Sequence, residues 1–199
     1  MRILRSVAVV VVVLLAASPA LAFDPEQTFK KGAFVLSLDG GGGAQNNLEH
    51  KERQTELDLW RIQGRASLLP FGTTGKDSFL YGAFELGLEP IYQRYFHNTD
   101  GYFAGLGLAV RYHVLSLGIF APYLEMGAAA GGTNLRVIEI DSSFAFRLYG
   151  GVGASLFVAD NAAIYAGYRL VHLSNGNTSR PNRGFEADTG VVGVSFFFP

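Results

Sequence analysis

Three residues near the C-terminal end of the chain could cooperate in one reaction. His172 and Ser174 stand two apart, and Glu186 follows after a short polar stretch, in "VHLSNGNTSRPNRGFEAD" from Val171 to Asp188. An imidazole, a hydroxyl and a carboxylate are the parts of an acyl-transfer site. The imidazole takes the serine proton, and the acid fixes the imidazole tautomer and stabilises the imidazolium. The same stretch is rich in Asn and Gly and reads equally as an ordinary polar turn. Such sets are defined by geometry rather than spacing, so both readings stand until the carrier elements are identified.

The residues on either side alternate with a period of two. Ile164, Ala166, Tyr168, Leu170, His172 and Ser174 form one face; Ala163, Tyr165, Gly167, Arg169, Val171 and Leu173 form the other. Eight segments read this way, at roughly 32–41, 54–69, 78–95, 101–115, 118–131, 142–158, 162–174 and 186–198. Most exceed the ~5–6 residues usual in soluble strands and match the ~9–11 or more of membrane-crossing strands. One face is apolar. The other carries Gly, Ala and the charges Glu85, Glu89, Arg111, Glu125, Arg147 and Arg169. A narrow barrel must fill its lumen with side chains, and small residues with mutually paired charges do so. A closed barrel also satisfies every backbone group, as a bilayer demands.

The expected fold is therefore all-β, an eight-stranded antiparallel transmembrane β-barrel over 23–199. Tyr92, Tyr95, Phe96, Tyr102, Phe103 and Tyr112, near strand ends, are expected to form interfacial girdles. The rival is a soluble lipocalin-like barrel with its apolar face inward; strand length and the terminal "VSFFFP" favour the membrane. Gly40 to Arg53, "GGGGAQNNLEHKER", reads as the loop between the first two strands.

Composition agrees. Charged residues are 17% of the 199, there is no cysteine, and the formal net charge is −1. That balance gives no basic face for nucleic acid. Residues 1–22 have Arg2 and Arg5, an apolar run from Val7 to Ala17 and the small-x-small ending Ala20-Leu21-Ala22, a secretory signal peptide with cleavage expected after Ala22. The apolar run is too short to span a bilayer as a helix, which takes ~20 residues.

If Arg169 lies in the lumen, then His172 and Ser174 face outward. Glu186 shares the face of Val192, Val194, Phe196 and Phe198, so it also faces out. The three groups would meet on the outer wall at the rim between the last two strands. With both ends of the barrel in the periplasm, that rim is extracellular. Charge there costs little, ~0–1 kcal/mol near the interface.

The stretch "HLSNGNTSRPNRGFE" resembles the active-site signature of the lipid A 3-O-deacylase (PagL) family. His172, Ser174, Asn175, Pro181, Asn182, Gly184 and Glu186 fill its fixed places. The resemblance implies Ser174 as nucleophile, His172 as general base and Glu186 as orienting acid. It implies the Asn182 amide as an oxyanion donor, with Asn175 and backbone N–H groups near Gly176 shaping the site. It further implies an outer-membrane esterase of a Gram-negative bacterium. No carboxylate cluster or His pair with ligand spacing accompanies these residues, so no metal or cofactor is expected. The partners are then lipid A or lipopolysaccharide as substrate and outer-membrane lipid, with a homodimer allowed.

Two rival functions remain: a structural or adhesive barrel in which the polar loop is incidental, and another outer-membrane lipase or acyltransferase. His50 is expected on a solvated loop, His97 on a loop and His113 in the lumen; none is expected to be catalytic. Asn175 also has a plain role as a turn residue. Asp188, on the face of Glu186, is the alternative acid.

Overall fold

The computed structural model describes residues 23–46, 48 and 54–199; the expected signal peptide and His50 lie outside them. A four-residue helix, α1 (Pro25–Thr28), precedes nine strands. These are β1 (Phe34–Gln45), β2 (Leu57–Leu68), β3 (Thr73–Thr74), β4 (Gly82–His97), β5 (Gly101–Val114), β6 (Phe120–Thr133), β7 (Phe144–Ala159), β8 (Ala162–Ser174) and β9 (Phe185–Phe198). β3 is a two-residue appendage on β4. The other eight pair antiparallel in the order β2-β1-β9-β8-β7-β6-β5-β4, and a β2–β4 pairing closes the ring. The barrel strands run 12 to 16 residues. At ~3.3 Å per residue each is about 40 Å or longer, enough to cross a ~30 Å hydrocarbon layer when tilted.

One parity rule holds around the ring: odd-numbered residues point into the lumen and even-numbered residues point out. Leu86, Leu88, Leu106, Leu108, Leu124, Met126, Leu148 and Val192 are exposed on the outside, while Arg61, Arg65, Glu85, Glu89, Arg111, Glu125, Arg147 and Arg169 are buried inside. This inverts the soluble pattern, so the lipocalin-like alternative fails and the protein is a transmembrane barrel.

The lumen is filled by an ion network. Glu125 accepts from Arg65 Nη2 at 2.8 Å, from Arg111 Nη2 at 2.9 Å and from Arg169 Nε at 2.5 Å. Arg65 also reaches Glu89 at 2.5 Å, Arg61 pairs with Asp39 at 2.8 Å, and His113 Nε2 lies 2.7 Å from Glu85. Arg111 stacks on Tyr123 and Tyr165, 4.1 and 4.6 Å from their ring centres. At the end that carries α1 and the end of β9, the buried Phe29 after α1 packs against His113, Phe157 and Phe197. There Tyr81 and Thr73 donate to Glu26, which holds that carboxyl below its usual range. This tie is complete above the ordinary carboxylate range and weakens as pH falls through the lowered value.

Two expectations are corrected. β1 does not stop at Gly41; it runs through the glycines to Gln45, so the expected loop from Gly40 is strand for its first part. The glycines serve close approach rather than a turn: a Cβ on Gly41 would lie 2.1 Å from Gly190 O, and one on Gly43 1.8 Å from Asp188 O. Tyr95 and Phe103 are not girdle residues, because their odd positions bury them in the lumen. Tyr92, Phe96, Tyr102 and Tyr112 do face outward, and Trp60 joins them, 5.6 Å from Tyr92.

Glu125→Ala leaves three buried guanidinium groups without their shared carboxylate. The loss of one partner of a buried pair costs ~3–5 kcal/mol. Urea titration of the barrel in detergent micelles is expected to show a destabilisation of that order; a variant as stable as wild type contradicts the network's role.

Candidate active site

β8 and β9 are paired so that His172 stands directly opposite Glu186. Both are even-numbered, so both project from the outer wall near the end of the barrel opposite the termini. Cross-strand partners bring their side chains into contact. His172 Nδ1 lies 2.7 Å from Glu186 Oε1. A carboxylate only accepts, so this contact selects the Nδ1–H tautomer and leaves Nε2 as an acceptor. The second carboxylate oxygen, Oε2, accepts from Leu48 N at 3.3 Å. The side chains of His172 and Glu186 are 37% and 22% exposed, so a ligand on the wall can reach the imidazole.

Ser174 is the last residue of β8, on the same face two positions beyond His172 and opposite Phe146 of β7. Among the described residues its Oγ has no hydrogen-bond partner, so the structure does not close a Ser174–His172 link. Residues i and i+2 of a strand are about 6.6 Å apart. In substrate-free enzymes catalytic hydrogen bonds are often long and tighten only in the complex.

The loop after Ser174 is organised by Asn175, which is fully buried. Its Oδ1 accepts from Asn177 N at 2.9 Å, and its Nδ2 donates to Ser179 O at 3.0 Å and Ser179 Oγ at 2.9 Å. The Asn175 amide is therefore spent within the loop. Asn182 Oδ1 accepts from Asn175 N at 2.9 Å, which leaves Asn182 Nδ2 as the donor of that side chain. Gly176 and Asn177 both have positive φ, 64° and 65°, as the tight turn requires. Gly184, at φ 64°, is buried beneath the imidazole: a Cβ there would lie 2.8 Å from His172 Cε1.

Asp188 does not substitute for Glu186. It stands opposite Leu170 rather than His172, and its oxygens are held by the Tyr168 hydroxyl and by Asn46 Nδ2, the latter at 2.6 Å. His113 is in the lumen network, and His97 is exposed at the end of β4, 3.1 Å from Asp58.

Sequence reading missed the residues that hold the site from other loops. Leu48 and Asn46, after β1, touch Glu186 and Asp188. Glu139 and Ile140, between β6 and β7, lie against the 175–184 loop: Glu139 O accepts from Arg183 N and Gly184 N, and Ile140 bridges Asn182. No pattern in the sequence marked this second group: in "RVIEIDSS" the apolar Ile138 is exposed and the charged Glu139 is buried.

Fold and site together define a closed outer-membrane β-barrel with a candidate hydrolytic pair on its lipid-facing wall. Residues 69–195 match the model of the lipid A 3-O-deacylase (PagL) family, and the chain belongs to that family. The crystal structure of the outer membrane enzyme PagL superposes with a TM-score of 0.61 at 15% identity, over 79% of this chain and 97% of that one. Neisserial surface protein A (NspA) superposes with a TM-score of 0.58 at 17% identity, over 83% of this chain and 99% of that one. No curated protein sequence matches the chain. One barrel shape thus serves a protein named as an enzyme and one named as a surface protein, so function must be argued from the site.

Gly184→Ala tests the packing of the imidazole. The added methyl, in a left-handed backbone conformation, displaces the ring from Glu186. The expected result is loss of the low-field Nδ1 proton resonance of His172 with the barrel still folded. An unchanged resonance contradicts the contact.

Proposed function

We propose that the protein is an outer-membrane esterase that hydrolyses the 3-position ester-linked acyl chain of lipid A by a Ser-His-Glu mechanism. The observation that carries this reading is the His172–Glu186 pair, 2.7 Å apart on the lipid-facing wall, one strand step from a serine. A polar pair there has no place in the lumen network and nothing to gain from facing lipid. It does gain from a substrate whose ester lies at the membrane interface.

Ser174 Oγ attacks the ester carbonyl carbon while its proton passes to His172 Nε2. The imidazolium is stabilised by Glu186 at Nδ1. The carbonyl oxygen becomes an oxyanion, for which Asn182 Nδ2 and backbone N–H groups near Gly176 are the donors. Collapse breaks the ester bond, and His172 returns its proton to the departing sugar hydroxyl. Water, deprotonated by His172, then attacks the acyl-serine; the acyl–Oγ bond breaks, His172 returns the proton to Ser174 Oγ, and the fatty acid leaves. Asn175 shapes the loop and touches no reacting atom. No metal or cofactor enters the scheme, and all its residues come from one chain, so it needs no homodimer. Residues 1–22 act as the secretion signal, and the 175–184 loop faces the cell exterior.

The similarity to NspA and the open Ser174–His172 link favour the second reading, a surface barrel without activity. Mass spectrometry of lipid A from cells with and without the protein separates the two. Loss of one 3-hydroxyacyl mass is expected; unchanged lipid A overturns the proposal, and release of acyl chains from phospholipid instead redirects it to another lipase. Ser174→Ala and His172→Ala are each expected to abolish release, with the double variant no worse, because the two act as a unit. Glu186→Ala retains more residual rate. Asn182→Ala lowers kcat by ~10²–10³. Asp188→Ala has little effect; if it abolished release while Ser174→Ala retained it, the assignment would be wrong.

A further inference from the structure

Glu139 is fully buried, yet it lies on the 134–143 connection rather than in the wall. Among the described residues, Thr55 and Gln45 both donate to its carboxylate. Thr55 N is at 2.9 Å from Oε1 and Thr55 Oγ1 at 2.6 Å from Oε2, while Gln45 Nε2 is at 2.9 Å from Oε1. The side chain thus ties the 134–143 connection to the end of β1 and the start of β2. The backbone of the same residue faces the other way. Its carbonyl accepts from Arg183 N at 2.8 Å and Gly184 N at 3.2 Å. The next two residues continue the contact: Ile140 bridges Asn182, and Asp141 O accepts from Ser179 Oγ at 2.6 Å. Glu139 therefore joins two connections on one side to the 175–184 loop on the other. That loop carries Gly184, packed under the His172 ring, and Asn182.

We propose that Glu139 is a positioning residue, a clamp whose buried carboxylate fixes the loop that carries Asn182 and packs Gly184 under His172. This rests on the reading of Ser174, His172 and Glu186 as a hydrolytic set. The carboxylate never meets substrate; it acts through the loop. Glu139→Met is the sharp probe: it keeps the length of the side chain and removes both acceptor oxygens, so Thr55 N, Thr55 Oγ1 and Gln45 Nε2 face an apolar group. The 134–143 connection then shifts, and Arg183 and Gly184 lose their acceptor. Glu139→Gln is milder, because its amide oxygen keeps the two N–H donors and its NH2 donates to the Thr55 hydroxyl, which also accepts.

The test uses the full barrel refolded in detergent with lipopolysaccharide as substrate, comparing wild type with Ser174→Ala, Asn182→Ala, Glu139→Met and Thr55→Val. Glu139→Met is expected to lower kcat by ~10-fold or more with KM within about twofold, because the loss falls on the transition state. Combined with Asn182→Ala it should cost little beyond Asn182→Ala alone, since both remove one function. Heat-modifiable gel migration should be unchanged, and hydrogen exchange at the Arg183 and Gly184 amides should be faster. Thr55→Val, which removes one donor from the clamp, should move each readout the same way by less, and it carries the test if Glu139→Met does not fold. Wild-type kcat in Glu139→Met, multiplying effects with Asn182→Ala, or normal amide protection would each overturn the clamp. If wild type and Ser174→Ala are equally inactive, the hydrolytic reading fails instead, and amide exchange alone decides whether Glu139 holds the loop.

Discussion

Glu125, gripped by Arg65, Arg111 and Arg169 in the middle of the lumen, is the knot around which the barrel is built. A bilayer offers no water to unpaired backbone groups, so the sheet must close. Closure at eight strands leaves an interior that side chains must fill. Filling it with charge is costly unless charges are compensated: Glu125 is shared by three of the arginines, and Arg147 lies over the Tyr149 ring. That requirement fixes which face of each strand points inward. Once Arg169 belongs to Glu125, the alternation of β8 sends His172 outward without further choice, and the register with β9 puts Glu186 opposite it.

The site is thus a by-product of parity that local contacts have made ordered. A polar pair on an apolar wall would normally be solvated at random at the rim. Here Glu186 is held by Leu48 N, the imidazole rests on Gly184, and Asn175 freezes the loop from within. Three connections converge on the pair, so the rim is a built surface rather than a frayed strand end. Preorganisation of this kind is what a charge-developing reaction needs from its enzyme. For the proposed reaction, placement on the outer wall sets the route: an amphipathic ester would enter sideways along the membrane, with no passage through the packed lumen.

The eight strands and their faces were legible in the sequence because period-two alternation survives over long strands, and Arg111, Arg147 and Arg169 mark the inner face unambiguously. Local chemistry misled where glycine serves two ends. Gly41 and Gly43 look like loop residues, but they permit the close β1–β9 approach, which depends on a partner distant in sequence. Tyr95 and Phe103 looked interfacial because position along a strand was weighed above parity. Of the site, the motif residues were visible and their shared outward face followed from alternation. The resemblance already separated Asn182 as donor from Asn175 as a shaping residue; the hydrogen bonds add that, among the described residues, the Asn175 amide is consumed within the loop while Asn182 gives up only its Oδ1 to Asn175 N. Glu139 and Leu48 were invisible as site residues because their contacts cross between loops.

The central claim is a nucleophilic serine activated by His172 on the lipid side of the wall. Its most direct measurement is covalent capture in lipid vesicles with a long-chain alkyl fluorophosphonate, followed by mass spectrometry of the protein. The account predicts one adduct, on Ser174, formed rapidly in wild type, lost in His172→Ala, and much slower with a water-soluble short-chain reagent. Absence of a Ser174 adduct, or equal labelling with His172 removed, would contradict it.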